Sequence, residues 1–177
     1  MNQTALITGA TSGIGKATAE IFAKNNIRLI LCGRRLERLQ ALQEKLSKQT
    51  EVTILQFDVS NREEVQKAIN SISEHFNQID ILINNAGVSK SSVSWKTSAE
   101  SWEETIDINL SAAFYSCKEV IPSMRENNWG RIINISSVVA QSGVVGTIAY
   151  AASKAGLIGM TKTLSKELAS SNITVNA

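Results

Sequence analysis

The sequence predicts an α/β fold in which a parallel sheet lies between two layers of helices. Three observations predict it: short runs rich in Ile, Leu and Val recur along the chain, segments of helical period separate them, and two runs, Ile81-Leu82-Ile83 and Ile132-Ile133-Asn134-Ile135, are nearly continuously apolar. Strands covered on both faces have such continuous apolar sequences, and each parallel crossover needs a helix. With 177 residues, 43% of them hydrophobic, the chain can bury one core, so we expect a single domain over residues 1–177.

Six strands are predicted in chain order. They are Gln3 to Thr8, Arg28 to Cys32, Val52 to Phe57, Ile79 to Asn84, Arg131 to Ser136, and a sixth that begins at Ile173. Their alternation with helical segments predicts a doubly wound, three-layer α/β/α architecture.

Two helices are preceded by the spacing of a capping box, Ser60 with Glu63 and Thr97 with Glu100. In this device a Ser or Thr and a Glu three residues later satisfy each other's free backbone N–H groups. We therefore expect helices to begin directly after Ser60 and Thr97.

The second of these helices is long and has a periodic apolar stripe. The stripe is predicted to face the core and consists of Trp102, Ile106, Leu110 and Ala113. Asn109 lies beside it and is predicted to point inward. The last helix is predicted from about Tyr150 to Ala169, with one thin face of Ala and Gly that permits close approach.

Charge and composition exclude several classes of protein. The 18 Lys and Arg residues and 16 Asp and Glu residues give a net charge of +2 without long blocks of one sign, so a nucleic-acid partner is not expected. No apolar run reaches the roughly eighteen residues of a membrane span, and no signal peptide precedes the first strand, which favours a cytoplasmic protein. Two distant cysteines, Cys32 and Cys117, and the single histidine, His75, predict neither a disulfide framework nor a metal site.

A glycine-rich loop, Thr8-Gly9-Ala10-Thr11-Ser12-Gly13-Ile14-Gly15, connects the first strand to the first helix. A pyrophosphate requires backbone N–H donors at close range, and a helix N-terminus adds about half a positive charge. The candidate phosphate-binding residues are therefore Gly9, Thr11, Ser12, Gly13, Ile14 and Gly15. The alternative is a turn that only connects a strand to a helix.

Two arginines, Arg34 and Arg35, follow the second strand. At this place, about twenty residues beyond the glycine loop, an NAD-binding chain carries an acidic residue for the ribose 2′-hydroxyl. A guanidinium group matches a 2′-phosphate instead, which predicts NADP(H). The alternative is that both arginines begin a solvated helix.

Tyr150 and Lys154 are spaced i, i+4 at the start of the last helix, so their side chains lie on one face. A neighbouring ammonium stabilises a phenolate, which makes Tyr150 a candidate general acid for an alkoxide formed by hydride transfer. Ser136 and Ser137 close the fifth strand, at the edge of the sheet where α/β proteins bind ligands. The alternative for these serines is a capping role.

Together, the glycine loop, Asn84-Asn85-Ala86-Gly87 after the fourth strand, Asn109, Ser137 and Tyr150-x-x-x-Lys154 resemble the short-chain dehydrogenase/reductase family over the whole chain. The resemblance implies a Rossmann-type NAD(P)-binding domain. It implies that Tyr150 is the proton donor, that Ser137 hydrogen-bonds the substrate carbonyl, and that Lys154 binds the nicotinamide ribose. Asn109 would hold a water in a proton relay to Lys154.

The resemblance also assigns residues to the adenosine half of the cofactor. It implies that Asp58 and Val59 contact the adenine, and that Asn85, Ala86 and Gly87 line the adenosine side. It further implies a dimer or tetramer formed through the two long helices. Because family members continue past the sixth strand, a seventh strand and a helical substrate lid would lie outside these 177 residues.

Within the family, the stretches 130–139 and 150–159 are most similar to reductases of 3-oxoacyl chains carried by acyl carrier protein in fatty-acid synthesis. The implied reaction is NADPH-dependent reduction of a 3-oxoacyl thioester to the 3-hydroxyacyl form. Arg125, Arg131 and Lys90 are the candidates for contact with an acidic carrier. The alternatives are a family member acting on a small ketone, a sugar or a secondary alcohol, and a truncated chain that binds NADP without activity.

Overall fold

The computed structural model describes residues 3–72, 76 and 78–177, and His75 lies outside them. Six parallel strands form one sheet within this part of the chain: β1 (Thr4–Thr8), β2 (Arg28–Gly33), β3 (Val52–Gln56), β4 (Ile81–Asn84), β5 (Gly130–Asn134) and β6 (Ile173–Asn176). Their order across the sheet is β3-β2-β1-β4-β5-β6. The chain therefore reverses its winding direction between β1 and β4, and this is where doubly wound sheets open a ligand crevice.

Helices cover both faces of the sheet. One face carries α1 (Gly13–Lys24) and α2 (Leu36–Leu46), and the other carries α3 (Arg62–Asn70), α5 (Ala112–Glu126) and α7 (Ile148–Glu167). Successive strand residues point to opposite faces, so in β1 Ala5 and Ile7 pack toward α1 and α2, while Leu6 packs toward the other layer. The predicted three-layer α/β/α architecture is confirmed.

The capping residues differ from the predicted ones by one position. The cap of α3 is Asn61, whose Oδ1 accepts hydrogen bonds from the backbone N–H groups of Glu63 and Glu64 at 3.0 and 3.2 Å. The Asn61 amide donates to the Glu64 carboxylate at 3.0 Å, so the reciprocal pair is Asn61 and Glu64. Ser60 instead binds Asp58 through its backbone N–H and its hydroxyl. The prediction of Ser60 as cap was wrong because the neighbouring Asn can perform the same task one residue later.

The same shift occurs before α4 (Ala99–Ile106), where Ser98 accepts from the Ser101 N–H at 3.2 Å. The Thr97 hydroxyl donates instead to the backbone carbonyls of Ser92 and Val93. Thr97 therefore fastens the preceding loop and does not cap the helix.

A turn of π-helix, Asp107–Ser111, joins α4 to α5. Because a π turn adds a residue to the helical repeat, it rotates the face that meets the core. The buried residues around it are Thr105, Ile108, Asn109, Ala112 and Ala113. The predicted stripe is thus wrong except at Ala113, and Leu110 packs against Gly156 of α7 instead. The inward orientation of Asn109 is confirmed.

None of the helices in the described part of the chain combines the length and hydropathy that a membrane crossing requires. The same residues contain no group of three or more His, Cys, Asp or Glu side chains placed to hold a metal ion.

Candidate active site

A cleft of about 770 Å³ opens at the carboxyl ends of the strands. This volume lies in the range of small-molecule and cofactor sites. Most of the predicted site residues line it, namely Gly9, Thr11, Ser12, Gly13, Ile14, Arg34, Arg35, Asp58, Val59, Asn85, Ala86, Gly87, Ser137, Tyr150 and Lys154. Two further predicted residues, Gly15 and Asn109, are buried directly behind this lining.

The glycine loop forms the floor of the cleft, and its shape depends on the absence of side chains. Gly9 has φ +64°, and a Cβ there would lie 2.9 Å from the Ala86 Cα. A Cβ on Gly15 would lie 2.4 Å from the Asn85 Nδ2 and 2.6 Å from the Gly9 carbonyl oxygen. The Asn85 amide donates to the carbonyls of Thr8 and Gly9 at 3.0 and 3.1 Å, which fastens the loop to the end of β4. Close packing therefore requires glycine at positions 9 and 15 of the loop.

The third glycine faces open space at the start of α1. Gly13 has φ +54° and no atom within 4 Å of a hypothetical Cβ. Ser12 is the N-cap residue but makes no side-chain capping bond, and the first turn contains no acidic residue. The helix N-terminus thus keeps its partial positive charge toward the cleft. This uncapped end fits the pyrophosphate of a dinucleotide.

The two arginines lie beside this loop but have different partners. Arg35 donates to the Thr11 hydroxyl at 2.9 Å and reaches the Ser12 hydroxyl at 3.5 Å, so its guanidinium group lies along the phosphate loop. Arg34 lies 3.4 Å from the Asp58 carboxylate. Burial raises the pKa of Asp58, but hydrogen bonds from Ser60 and the charge of Arg34 outweigh it and hold that pKa below its usual value. Asp58 is thereby kept as an anion at this end of the cleft.

Tyr150, Lys154 and Ser137 meet at the other end of the cleft. The Lys154 Nζ lies 5.7 Å from the centroid of the Tyr150 ring and donates to the Ile135 carbonyl at 2.6 Å. Burial lowers the pKa of Lys154 from 10.5 to about 8. The predicted cluster is therefore brought together, with the ammonium held by a backbone carbonyl next to the phenol.

The two serines after β5 have separate tasks. The predicted strand extended through Ser136, but β5 ends at Asn134, and the Ser136 hydroxyl donates to the Lys154 backbone carbonyl of α7 at 3.0 Å. The Ser137 Oγ accepts from the Val139 N–H at 3.3 Å, at the start of the short helix α6 (Val139–Ser142). An accepting hydroxyl still has its own proton to donate, so Ser137 is the serine free to bind a carbonyl oxygen.

Asn109 uses its side chain to hold the loop after β4. Its Oδ1 accepts from the Val88 N–H at 2.8 Å, and its Nδ2 donates to the Val88 carbonyl at 2.9 Å and to the Ser153 hydroxyl at 3.1 Å. A Cβ on Gly87 would lie 3.3 Å from the Asn109 Oδ1 and 3.6 Å from the Lys154 Nζ. Gly87 thus separates the two side chains, and its place on the adenosine side of the cofactor stays a prediction.

Several residues that organise the site were not predicted. The Thr8 hydroxyl accepts from the N–H groups of Asn85 and Ala86, at 3.0 and 3.1 Å, and joins β1 to the loop after β4. The Ser153 hydroxyl donates to the Tyr150 carbonyl at 2.7 Å while it accepts from Asn109. A polar residue at the end of a buried strand, or on the buried face of a helix, is the sequence signal that could have identified both.

A buried polar chain positions α7 on the sheet. The Asn84 amide of β4 donates to the Asn134 Oδ1 of β5 at 2.8 Å, and the Asn134 amide donates to the Thr161 hydroxyl of α7 at 2.8 Å. Because α7 carries Tyr150 and Lys154, this chain of bonds fixes both relative to the strand ends.

The predicted carrier-binding cations do not flank the mouth of the cleft. Arg131 is the second residue of β5 and Arg125 lies in the last turn of α5, so both lie at the opposite edge of the sheet, where Arg131 packs over Trp129 and donates to the Asn172 carbonyl. Lys90 lies at the correct edge, but it forms an ion pair with Glu104. The expectation for Arg125 and Arg131 was wrong because it disregarded the direction of the strand.

Comparison with known proteins gives a consistent result. The family model described as short chain dehydrogenase matches residues 3–177. A 3-oxoacyl-[acyl-carrier-protein] reductase of Aquifex aeolicus is 40% identical over 97% of this chain, and one of Rickettsia bellii is 44% identical over 99%. The chain spans 70% of the length of each of these relatives.

Solved structures agree with the sequence comparisons. A crystal structure from Sinorhizobium meliloti, described as a short-chain alcohol dehydrogenase, superposes with a TM-score of 0.95 at 31% identity, over 100% of this chain and 71% of that one. The parallel sheet, the glycine loop and the Tyr150–Lys154 pair are thus accompanied by similarity along nearly the whole chain. The chain belongs to the short-chain dehydrogenase family.

Proposed function

We propose that this chain reduces the 3-oxo group of a 3-oxoacyl thioester to a 3-hydroxyacyl product with NADPH, as in fatty-acid synthesis. The observation that carries the proposal is one continuous cleft with a dinucleotide-type phosphate loop at its centre and Tyr150, Lys154 and Ser137 at one end. Membership of the short-chain dehydrogenase family implies a nicotinamide cofactor. The named activity of relatives that are 40% and 44% identical supports the thioester substrate.

When bound, the nicotinamide supplies a hydride to the carbonyl carbon. Ser137 donates a hydrogen bond to the carbonyl oxygen and orients it toward Tyr150. The Tyr150 hydroxyl gives its proton to that oxygen as negative charge develops there. The Lys154 ammonium, held by the Ile135 carbonyl, stabilises the phenolate that remains. Asn109 acts as a positioning residue, because its side chain is engaged by Val88 and Ser153.

The choice of NADPH over NADH is assigned to Arg35, with Arg34 in support. The Arg35 guanidinium lies on the hydroxyls of Thr11 and Ser12, where it can pair with a 2′-phosphate, whereas Arg34 is partly neutralised by Asp58. Since hydrogen bonds to charged groups contribute about 1.5–3 kcal/mol, Arg35→Ala should weaken NADPH binding roughly 10- to 100-fold and leave NADH binding unchanged. Arg38→Ala, in the first turn of α2 after the cap residue Arg35, is the matched control. Tighter binding of NADH than of NADPH by the unaltered chain would reject the assignment.

The remaining cofactor contacts are proposed from the family resemblance and from the residues that line the cleft. Asp58 and Val59 would contact the adenine, the glycine loop residues would hold the pyrophosphate, and Asn85, Ala86 and Gly87 would line the adenosine side. The domain 1–177 would act as a single cofactor-binding unit.

The proposed partners are an acyl carrier protein that delivers the substrate and a second copy of this chain. Support for the carrier comes from the names of the relatives. Support for a homodimer comes from the long helices, where Phe114 of α5 is half exposed and Ala155 and Gly159 of α7 are exposed small residues. Light scattering should show at least a dimer, and Phe114→Glu should shift it toward monomer. If the unaltered chain is a monodisperse monomer, a second copy of the chain is rejected as a partner.

The proposal is tested by NADPH oxidation with an acetoacetyl thioester and with simple ketones. Faster turnover of the thioester is expected. Turnover of the ketones alone would favour another substrate class within the family, and NADPH binding without any turnover would favour a binding function.

A further inference from the structure

A small internal cavity lies between the ends of β1 and β4 and the start of α5. Its volume is about 10 Å³, which is close to the space that one water molecule needs. Val59, Ala86 and Ile108 line both this cavity and the cofactor cleft, so the two spaces are adjacent. The cavity therefore lies directly behind the proposed cofactor site.

One polar atom in the cavity lining has no hydrogen-bond partner within the part of the chain that the structure describes. Asn84 is 5% exposed, and this atom is its Oδ1. The Asn84 amide nitrogen donates to the Asn134 Oδ1 at 2.8 Å, and a reversed amide would bring two carbonyl oxygens together there. Buried polar atoms nearly always have a partner, either in the protein or in an ordered water. The Asn84 Oδ1 therefore requires a donor that none of the described side chains supplies.

Two hydroxyl groups in the same lining complete a polar site. The Ser116 hydroxyl donates to the Ala112 carbonyl at 3.0 Å, which leaves its oxygen lone pairs available to a donor. The Thr8 oxygen lies 3.4 Å from the Ile83 carbonyl oxygen, which is longer than a normal bond from a hydroxyl, so its proton is only weakly engaged. Asn84 and Ser116 thus offer two acceptors and Thr8 offers one donor. Three partners are the usual number for a buried water.

We propose that this cavity is the binding site of one ordered water molecule, which accepts a hydrogen bond from the Thr8 hydroxyl and donates to the Asn84 Oδ1 and the Ser116 Oγ. The proposal does not depend on the identity of the substrate. The family resemblance implies a different water, in a proton relay to Lys154. Lys154 is not among the described residues that line the cavity, so the proposed water has a structural role.

The water joins the floor of the cofactor cleft to two helices. Thr8 ends β1 directly before the glycine loop, and Ser116 lies on α5. Asn84 continues through the Asn134 amide to the Thr161 hydroxyl of α7. The water is therefore the link that extends this buried polar chain from α7 and the sheet to α5 and to the glycine loop.

A high-resolution crystal structure of the unaltered chain tests the site directly. It should show one fully occupied water within roughly 3.2 Å of the Thr8 Oγ1, the Asn84 Oδ1 and the Ser116 Oγ. Oxygen-17 magnetic relaxation dispersion, which detects waters that stay bound longer than the protein takes to tumble, should detect the same water in solution. A cavity without electron density, or a water that contacts only one of the three atoms, would overturn the proposal.

Two variants test the assigned partners. Ser116→Ala removes one acceptor, and the relaxation dispersion should decrease by the contribution of one water. Thr105→Val is the matched control, because the buried Thr105 hydroxyl also donates to a carbonyl four residues earlier but does not line the cavity. This variant should retain the water.

Amide hydrogen exchange measures the link to the glycine loop. The N–H groups of Asn85 and Ala86 donate to the Thr8 hydroxyl, so loss of the water should loosen them. Their exchange should be about five-fold faster in Ser116→Ala than in Thr105→Val, the effect of one hydrogen bond. Retention of the water in Ser116→Ala, or equal exchange rates in the two variants, would overturn the assignment.

Discussion

Asn109 provides the sharpest test of how the site is held together. The Asn109→Ala substitution removes three hydrogen bonds of 2.8–3.1 Å, two to the backbone of Val88 and one to Ser153. The side chain is 2% exposed, so water cannot easily replace these partners. Each lost bond costs about 1 kcal/mol, and an orphaned buried N–H at Val88 adds to that cost. We expect the free energy of unfolding to fall by about 3–4 kcal/mol.

Urea denaturation followed by circular dichroism measures this change, and thermal unfolding should show a decrease of about 6–16 °C for a domain of this size. Ser153→Ala is the comparison variant: it removes one of the three bonds of Asn109 and the bond from the Ser153 hydroxyl to the Tyr150 carbonyl, so it should cost about 2 kcal/mol. Asn109→Asp retains an acceptor for the Val88 N–H, but it loses both donations and buries a carboxylate against the Val88 carbonyl, so it should destabilise the chain at least as much as Asn109→Ala.

The same variants distinguish positioning from proton relay. If Asn109 positions the loop after β4, stability and NADPH affinity should fall together, because Gly87 and Val88 in that loop line the cleft. A loss of kcat with stability reduced by less than 1 kcal/mol would refute the reasoning and favour a direct role in proton transfer.

Four further predictions follow from local geometry. As pH rises through about 8 the reduction rate should fall, because Lys154 loses its proton there; a pH profile that is flat to 10 would contradict this. Since the Lys154 pKa is below its unfolded value of 10.5, burial of the ammonium penalises folding most below pH 8, and stability should rise between pH 8 and 10.5. Gly15→Ala should lower the melting temperature and weaken NADPH binding at least about ten-fold, because its Cβ would meet the Asn85 amide at 2.4 Å and displace the loop. Asn61→Ala should cost about 1 kcal/mol in urea denaturation through loss of the α3 cap, and a larger cost for Ser60→Ala would contradict the assignment of the cap.

The strands and the reacting cluster were predictable from sequence because their signals are local. Runs such as Ile81-Leu82-Ile83 are buried on both faces, as expected for strands of a parallel sheet that is covered by helices. The i, i+4 spacing places Tyr150 and Lys154 on one face of a helix whatever else the chain does.

The sequence-based predictions were wrong where the structure depends on contacts between residues distant in sequence. They were also wrong where two adjacent residues are equally suited to the same role. Asn61 and Ser60 are both good caps, and the sequence spacing favoured the wrong one. The π turn rotates the face of the long helix, so Trp102 is 38% exposed although it lies on the predicted stripe. The three bonds of Asn109 span 21 and 44 positions, and nothing in the local sequence indicates them.

The wrong prediction that Arg131 contacts a carrier protein could have been avoided from the sequence alone. Parallel strands all point the same way, so the residues that begin β5 must lie at the edge opposite the cleft. Arg131 could therefore have been excluded as a carrier contact from the strand assignment alone.

The central claim is that Tyr150 donates the proton when the chain reduces a 3-oxoacyl thioester with NADPH. The most direct measurement compares the unaltered chain with Tyr150→Phe in acetoacetyl thioester reduction, with NADPH affinity measured in parallel. We expect kcat to fall at least about 100-fold, the contribution of a positioned general acid, while the NADPH dissociation constant changes less than about three-fold. Turnover by Tyr150→Phe within ten-fold of the unaltered chain would contradict it.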